Sequence, residues 1–305
     1  MSFSVEMSDF CKSACTAYEA DVQKIVGAAS LKLQKADTPY TAEDTAGDSD
    51  EPAGLLAGVC ASHLMRLLYA ARVARPDIQT AIVRLAKYIT KWKARHDRCL
   101  QRLFSYVHGS LGLRLKGSMP IGGAADAQLL IWPDADLAGD KGSSKATGGF
   151  WVELACGDHR WPLAWQSKRQ TSTAISTAES ETISLQRCLH KEGLPLQEAL
   201  SNMLGVDLPL HALEDNSQCI SAVTNGYSAN MRHLARVQRT CIGAMHEAFF
   251  PEVEEDPLTG EVDAQPELNC TIAYCKSAEH KGDMFTKPLD RAPFIDGLRK
   301  INMSL

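Results

Sequence analysis

The feature that most constrains this chain is a change of hydrophobic period near residue 128. Upstream, over 55–107, apolar residues recur at helical spacing. Downstream, three short apolar runs follow one another, at 128–133, 148–155 (GGFWVELA) and 161–166 (WPLAWQ), with turn residues between them. They read as strands. Helices are expected at about 177–191 and 195–204, a strand at 208–214, and a helix at 217–225 closed by Gly226. A longer helix at 230–250, a strand at 268–275 (LNCTIAYC) and helical segments at 283–287 and 292–301 complete the pattern. The order β-β-β-α-α-β-α-α-β-α predicts an α/β layered domain around a mixed five-stranded sheet.

The first half reads differently. Residues 5–35 are weakly amphipathic and predicted helical, and 37–54 read as a flexible acidic linker. The helical pattern of 55–107 breaks at Arg75–Pro76, where the proline ring forbids a continuous helix. The glycine-rich stretch 109–127 is the candidate domain boundary. Three parts are therefore expected: 1–54, a helical segment and acidic linker; 55–127, mainly helical; and 128–305, the layered α/β domain.

Composition removes several function classes. No run of eighteen apolar residues exists, which argues against a membrane span. The start MSFSVEMSDFCKSA lacks a basic stretch followed by an apolar one, so it does not read as a signal peptide. The chain is expected to be intracellular and not secreted, in a cytoplasmic particle or the nucleus, and its ten cysteines are expected to be reduced thiols. Cys11/Cys15 and Cys270/Cys275 are the close pairs; neither has a matching second pair, so zinc is not expected.

The net charge of −5 conceals segregation. Residues 37–51 carry six acids and no base, and 252–267 carry seven acids and no base. Between 84 and 116 stand nine lysines and arginines and one acid, Asp97, for a net +8. Such a stretch reads either as a polyanion footprint or as a solvated helix face.

The stretch 176–185, STAESETISL, carries the chemistry. Ser176 is a candidate N-cap with Glu179 as its capping-box partner. Ala178, Glu181, Leu185, Cys188 and Leu189 then fall on one face at steps of three and four. That face is apolar except for Glu181. Asp134 follows the first strand, Asp215 ends the fourth, and Asp283 starts a helix after the last. Each aspartate alone reads equally as a turn or cap residue; Glu181 at mid-helix does not. Clustered carboxylates raise one another's pKa and call for a cation. Hard oxygen ligands suit Mg²⁺ or Mn²⁺, and two such ions suit phosphodiester hydrolysis.

At these residues the chain resembles the ribonuclease H domain of copia-type retrotransposon polyproteins, over about 129–300. D-A-D-L-A-G-D at 134–140 is similar to that family's D-A-D-W-A-G-D, and W-Q-S-K-R-Q at 165–170 to W-x-S-K-K-Q. STAESETISL is similar to S-S-T-E-A-E-Y-x-A-L, D-N-S-Q at 215–218 to D-N-Q-S, and G-D-M-F-T-K-P-L at 282–289 to A-D-x-F-T-K-P-L. Upstream, L-L-Y-A-A-R-V-A-R-P-D-I at 67–78 resembles L-L-Y-L-A-x-x-T-R-P-D-I, so 55–116 resembles the thumb-to-connection region of the reverse transcriptase.

The resemblance implies a ribonuclease H-like fold and a metal-dependent endonuclease that cuts the RNA strand of RNA–DNA hybrids. Asp134, Glu181, Asp215 and Asp283 would be catalytic and hold two Mg²⁺ or Mn²⁺ ions. Glu181 is preferred to Glu179 as the second glutamate of its motif. Lys87, Lys91, Lys93, Arg95, Arg98, Arg102, Lys168 and Arg169 would contact nucleic acid. His280 would handle a proton near the leaving group or stand at the surface. The polymerase's Y-x-D-D is missing, so the implied origin is a C-terminal piece of a polyprotein, or a gene derived from one, without its polymerase partner. Leu137, Ser180 and Thr182 replace the family's Trp, Ala and Tyr, and R-H-L-A-R at 232–236 departs from K-H-I-D-I-R. The alternative is a catalytically inactive transposon remnant or co-opted nucleic-acid-binding module.

Overall fold

The computed structural model describes residues 1–27, 32–40, 51–137, 145–171, 173–251 and 269–304. Most of the acidic linker, the Gly-Asp end of the 134–140 motif and the acidic run 252–267 lie outside the described residues.

In chain order the elements are β1 (Ser2–Val5), α1 (Ser8–Val26), α2 (Cys60–Val73), α3 (Gln79–Ala86), α4 (Ala94–Gly109) and β2 (Arg114–Ser118). There follow β3 (Gln128–Asp136), β4 (Thr147–Cys156), β5 (His159–Arg169), α5 (Thr177–Cys188), α6 (Leu194–Leu204), β6 (Leu210–Glu214) and α7 (Ser217–Thr224). The chain ends with α8 (Leu234–Val237), α9 (Ile242–Phe249), β7 (Cys270–Tyr274), α10 (Arg291–Lys300) and β8 (Met303–Ser304).

β3, β4 and β5 form an antiparallel meander; β6 and β7 add in parallel on the other side, giving the order β5-β4-β3-β6-β7. The architecture is the mixed five-stranded α/β layer that the pattern predicts. Period-two alternation splits β3 between two cores. Leu129 and Ile131 pack with Leu185 and Cys188 of α5, with Leu189 just beyond it, and with Cys219, Met245 and Phe249. Leu130 and Trp132 pack on the opposite face, with Leu64 and Leu67 of α2, Leu100 and Phe104 of α4, and Phe285 and Phe294. The helices of the first half thus cover one face of the sheet. Trp165 of β5 fixes the contact by donating its indole N–H to Ala71 O at 2.8 Å.

The break at Arg75–Pro76 is a buried staple. Arg75, 1% exposed, pairs with Asp77 at 2.9 Å and also donates to Ser110 O and Oγ, while the Tyr106 hydroxyl donates to Asp77 at 2.8 Å. The R-P-D string therefore ties the end of α2 to the end of α4.

Three expectations need correction. The predicted helix 230–250 is interrupted: Arg239 takes a left-handed φ of 54°, and α9 restarts behind Cys241. The Gln186 side chain stabilises the break, donating to Arg239 O at 3.1 Å and accepting from Cys241 N at 2.9 Å. The glycine-rich stretch contains β2, the centre of a small sheet ordered β1-β2-β8, and β1 precedes the first helix. The helix expected at 177–191 leaves α-geometry at Cys188 and passes through a π-turn, Leu189–Gly193, into α6.

Candidate metal centre

Strand ends build the site. The β3–β6 ladder runs from Leu129↔Leu210 to Ile131↔Ala212. Beyond it Asp134 stands near the end of β3, and Asp215 follows β6 directly. Across the sheet, α5 begins as its sequence dictates: Ser176 Oγ accepts from Glu179 N at 3.2 Å. The Glu179 carboxylate accepts from Ile175 N at 3.0 Å and meets His233 at 3.2 Å. That accounts for Glu179 as a cap and leaves Glu181, 3% exposed, on the sheet-facing side. One ligand oxygen from each of Asp134, Glu181 and Asp215 lies within 4.8 Å of the others.

The electrostatics of this trio are adverse. Burial, and then the charges of Asp134, Glu214 and Asp215, push Glu181 up to about 12. Its Oε2 is buried without a hydrogen-bond partner. Burial and Asp283 raise Asp134 to about 6, against His280, the Thr286 hydroxyl and Lys287. Thr286 donates to Asp134 Oδ2, and Ser277 donates to Asp215 Oδ2 at 2.6 Å. An orphaned buried oxygen among converging carboxylates fits a hard cation, so this buried acidic triad could bind a metal.

Asp283 is not part of the trio. It sits in the 3₁₀ turn Gly282–Phe285, close enough to raise Asp134, with its Oδ1 ion-paired to Lys287. Two glycines let this turn press onto the site. A Cβ on Gly282 would lie 2.5 Å from Asp134 Cβ, and one on Gly149, opposite Asp134 in the ladder, would lie 2.6 Å from Phe285 Cβ. Lys281 anchors the turn through a buried ion pair with Glu153 of β4. The Glu153 carboxylate also accepts from Trp151 Nε1 at 2.8 Å.

His280 is 2% exposed, so it is not a surface histidine. Its Nε2 meets Leu213 O at 2.8 Å and its Nδ1 accepts from Gly282 N at 3.1 Å. Both ring nitrogens are engaged, and the ring packs edge-on against Trp132. This arrangement describes a brace between β6 and the Gly282 turn.

Glu214 is a carboxylate that the sequence reading overlooked. It is fully buried, accepts from Asn216 N at 3.2 Å and leaves Oε2 unpartnered. Burial first, then Asp134 and Asp215, raise it well above the usual range. Leu210, Ala212 and Glu214 share the inward face of β6, so strand alternation carried the signal, just as helical spacing carried it for Glu181.

The basic stretch is less of a footprint than its count implies. Arg84 and Arg95 are 6% and 2% exposed. Arg95 donates to His96 and lies over the Tyr88 ring, where Lys87 also sits at 4.6 Å. Arg98 meets Glu51 at 3.3 Å, and Arg102 donates to Thr38 O at 2.9 Å. Lys91 is exposed and Lys93 half-buried. Lys168 is exposed and Arg169 half-buried at the end of β5, which β4 separates from β3.

No protein-family model matches the chain. Over 269 residues, 88% of its length, it is 27% identical to the retrovirus-related Pol polyprotein from transposon TNT 1-94 of Nicotiana tabacum, spanning 17% of that protein. Over 109 residues it is 34% identical to the retrovirus-related Pol polyprotein from transposon RE1 of Arabidopsis thaliana, spanning 7% of it. It is also 29% identical over 119 residues to the secreted RxLR effector protein 161 of Plasmopara viticola, covering 39% of this chain and 78% of that protein. The chain therefore resembles plant transposon Pol polyproteins over much of its length but spans less than a fifth of theirs. The similarity supports a retrotransposon origin. Among the described residues, no helix is long and apolar enough to cross a membrane.

Proposed function

We propose that the carboxylate centre is that of a hydrolase cutting the RNA strand of an RNA–DNA hybrid with Mg²⁺ or Mn²⁺. The observation that carries this reading is the convergence of Asp134, Glu181 and Asp215 within 4.8 Å, at adjacent ends of β3 and β6 and on the buried face of α5. Strand ends of a layered sheet are where such sites assemble.

Asp134, Glu181 and Asp215 would hold the cation, and Asp283 would join them on release from Lys287. A divalent ion held by these carboxylates would supply water activation and charge compensation at a phosphodiester. The protein's own part is positioning. Thr286 orients Asp134 and Ser277 orients Asp215. Lys287 brings a cation to the same edge. The hybrid would be recognised through its A-like shape and 2′-hydroxyls rather than its bases.

A labelled RNA–DNA hybrid incubated with the purified chain and Mg²⁺ or Mn²⁺ tests the proposal. RNA cleavage is expected, lost on chelation, and reduced at least about 100-fold by Asp215→Asn. A second reading follows from the Asp283–Lys287 pair, which leaves three carboxylates rather than four converging. If a folded chain binds the hybrid and never cuts it, the protein is an inactive remnant or a co-opted binding module.

A further inference from the structure

α3 is short, and its place in the fold is fixed from two sides. The 3₁₀ turn Pro76–Ile78 leads directly into it, so the buried Arg75–Asp77 staple holds its start. Ile82 and Leu85 then pack in the same core as Met284 and Phe285. α3 thus meets the Gly282–Phe285 turn, the same turn that presses onto Asp134.

Thr80 ties the two together. It is fully buried, and its Oγ1 donates to Met284 O at 2.7 Å, across 204 positions of sequence. A buried helical threonine ordinarily returns its hydroxyl to a carbonyl of its own helix, three or four residues back. Thr182 does so, donating to Ala178 O at 2.7 Å. Thr80 gives its hydroxyl to the turn instead.

The acceptor is well placed to matter. The Met284 carbonyl stands between Asp283, the carboxylate outside the trio, and Thr286, whose hydroxyl donates to Asp134 Oδ2. Fixing that carbonyl fixes the backbone that presents both side chains. The next turn of α3 reaches the same edge. Arg84 lies four residues after Thr80, on its face of the helix. Burial raises the Asp136 carboxyl, and Arg84 is the first group to act against it, so this face of α3 extends to the end of β3. The turn is therefore held by Lys281 on Glu153 of β4 and by Thr80 of α3.

We propose that Thr80 is a positioning residue of the metal centre, acting through the Met284 carbonyl on Thr286 and Asp283, so that the helical half builds one wall of the site. This rests on the metal centre of the reading above. Without the hydroxyl the Met284 carbonyl loses its donor in a buried setting, which favours a shifted turn and a displaced Asp134 carboxylate.

The test reads metal binding as well as turnover. The full chain is titrated with Mn²⁺, the free ion being followed by electron paramagnetic resonance, and cleavage of the hybrid is measured beside it. Thr80→Val keeps the volume and removes the donor, Thr80→Ala removes it with a smaller side chain, and Thr80→Ser keeps it. The valine and alanine variants are expected to weaken Mn²⁺ binding about fivefold, less than the roughly 10–100-fold of a group bonded directly to a ligand. They should lower kcat by about as much, with KM within about twofold. Serine should restore both. Ile82→Val is the control, because it trims a fully buried side chain of the same helix that has no donor to lose. Unchanged Mn²⁺ affinity in the valine and alanine variants, or an equal loss in Thr80→Ser or Ile82→Val, would overturn the positioning. The outcomes separate from those of the cleavage assay. Thr80-dependent Mn²⁺ binding by a chain that never cuts removes the hydrolase reading alone. Cutting with Mn²⁺ binding indifferent to Thr80 removes the positioning alone. No Mn²⁺ binding by the intact chain removes the metal centre and the positioning with it.

Discussion

Glu181 occupies a position that an ordinary core would not tolerate. It is 3% exposed, its Oε2 has no partner, and burial with three neighbouring carboxylates pushes it up to about 12. The cost is borne by the fold and would be recovered by a bound cation, so function and stability should separate at this residue. Glu181→Gln keeps the shape and removes the titrating carboxyl. The metal-free protein should gain stability in urea unfolding at neutral pH, because Gln needs no proton to be taken up on folding. It should also lose its stabilisation by Mg²⁺. A variant that is less stable without metal would show that Glu181 is held by structural contacts instead. The same logic was legible in the sequence, because one carboxylate broke an otherwise apolar helical face. Glu214 broke the inward face of β6 in the same way, but a strand of five residues offers only three inward positions against which to notice it.

At the scale of elements, the segment 280–287 connects the most contacts that matter. It carries His280, Asp283 and Thr286, lies across Gly149, and is pinned by Lys281 on Glu153. Removing one partner of a buried pair strands the other, at about 3–5 kcal/mol. Glu153→Ala should therefore destabilise the protein by that amount in chemical denaturation. Glu153→Ala with Lys281→Met should recover part of it, because the buried ammonium is gone while Trp151 Nε1 and the half-exposed Arg160 still lose their acceptor. A single-variant cost below ~1 kcal/mol, the range of an exposed pair, would mean that the ion pair does not anchor the turn. None of this pairing could be read from sequence, because Glu153 and Lys281 stand 128 positions apart. Local signals fared better. Ser176 caps α5, Asn216 caps α7, and Gly226 follows α7 in a left-handed conformation, as their residue types dictate. The interruption of 230–250 depends on Gln186 reaching across from α5, a tertiary contact that overrides helical spacing. The small sheet depends on Ser2–Val5 meeting Arg114–Ser118, two short runs too weak to announce a strand alone. Likewise, the count of cations between 84 and 116 could not reveal that Arg84 and Arg95 turn inward.

Over the whole molecule these charges set a pH dependence whose sign depends on metal. The unfolded-state values for Asp134 and Glu181 are 3.8 and 4.5, and the folded ones about 6 and about 12. Carboxyls raised on folding bind more protons in the native state, so stability falls as pH rises through the interval between the two values. His96 acts in the opposite sense: burial, and then Arg95, lower it from 6.5 to about 4, so its contribution rises with pH across that window and is complete above it. Below about pH 6.5 the two effects oppose each other; above it the buried carboxyls dominate. Metal-free protein should therefore lose thermal stability steadily between pH 6.5 and 8.5, with a limiting slope of about 1.4 kcal/mol per pH unit for each extra proton held in the folded state, the one on Glu181 and the one on Glu214. A cation that binds the ionised trio replaces that proton. At 100 times its dissociation constant it adds about 2.7 kcal/mol, and it adds most where the carboxyls are already ionised. Scanning calorimetry across this range, with chelator and with Mg²⁺, should give a Tm that falls with pH in the first series and flattens in the second. Glu181→Gln should make the chelated series less steep, leaving the slope that Glu214 contributes. A chelated Tm that holds constant or rises toward pH 8.5 would mean that the carboxylates are compensated within the protein, and the case for a metal centre would go with it.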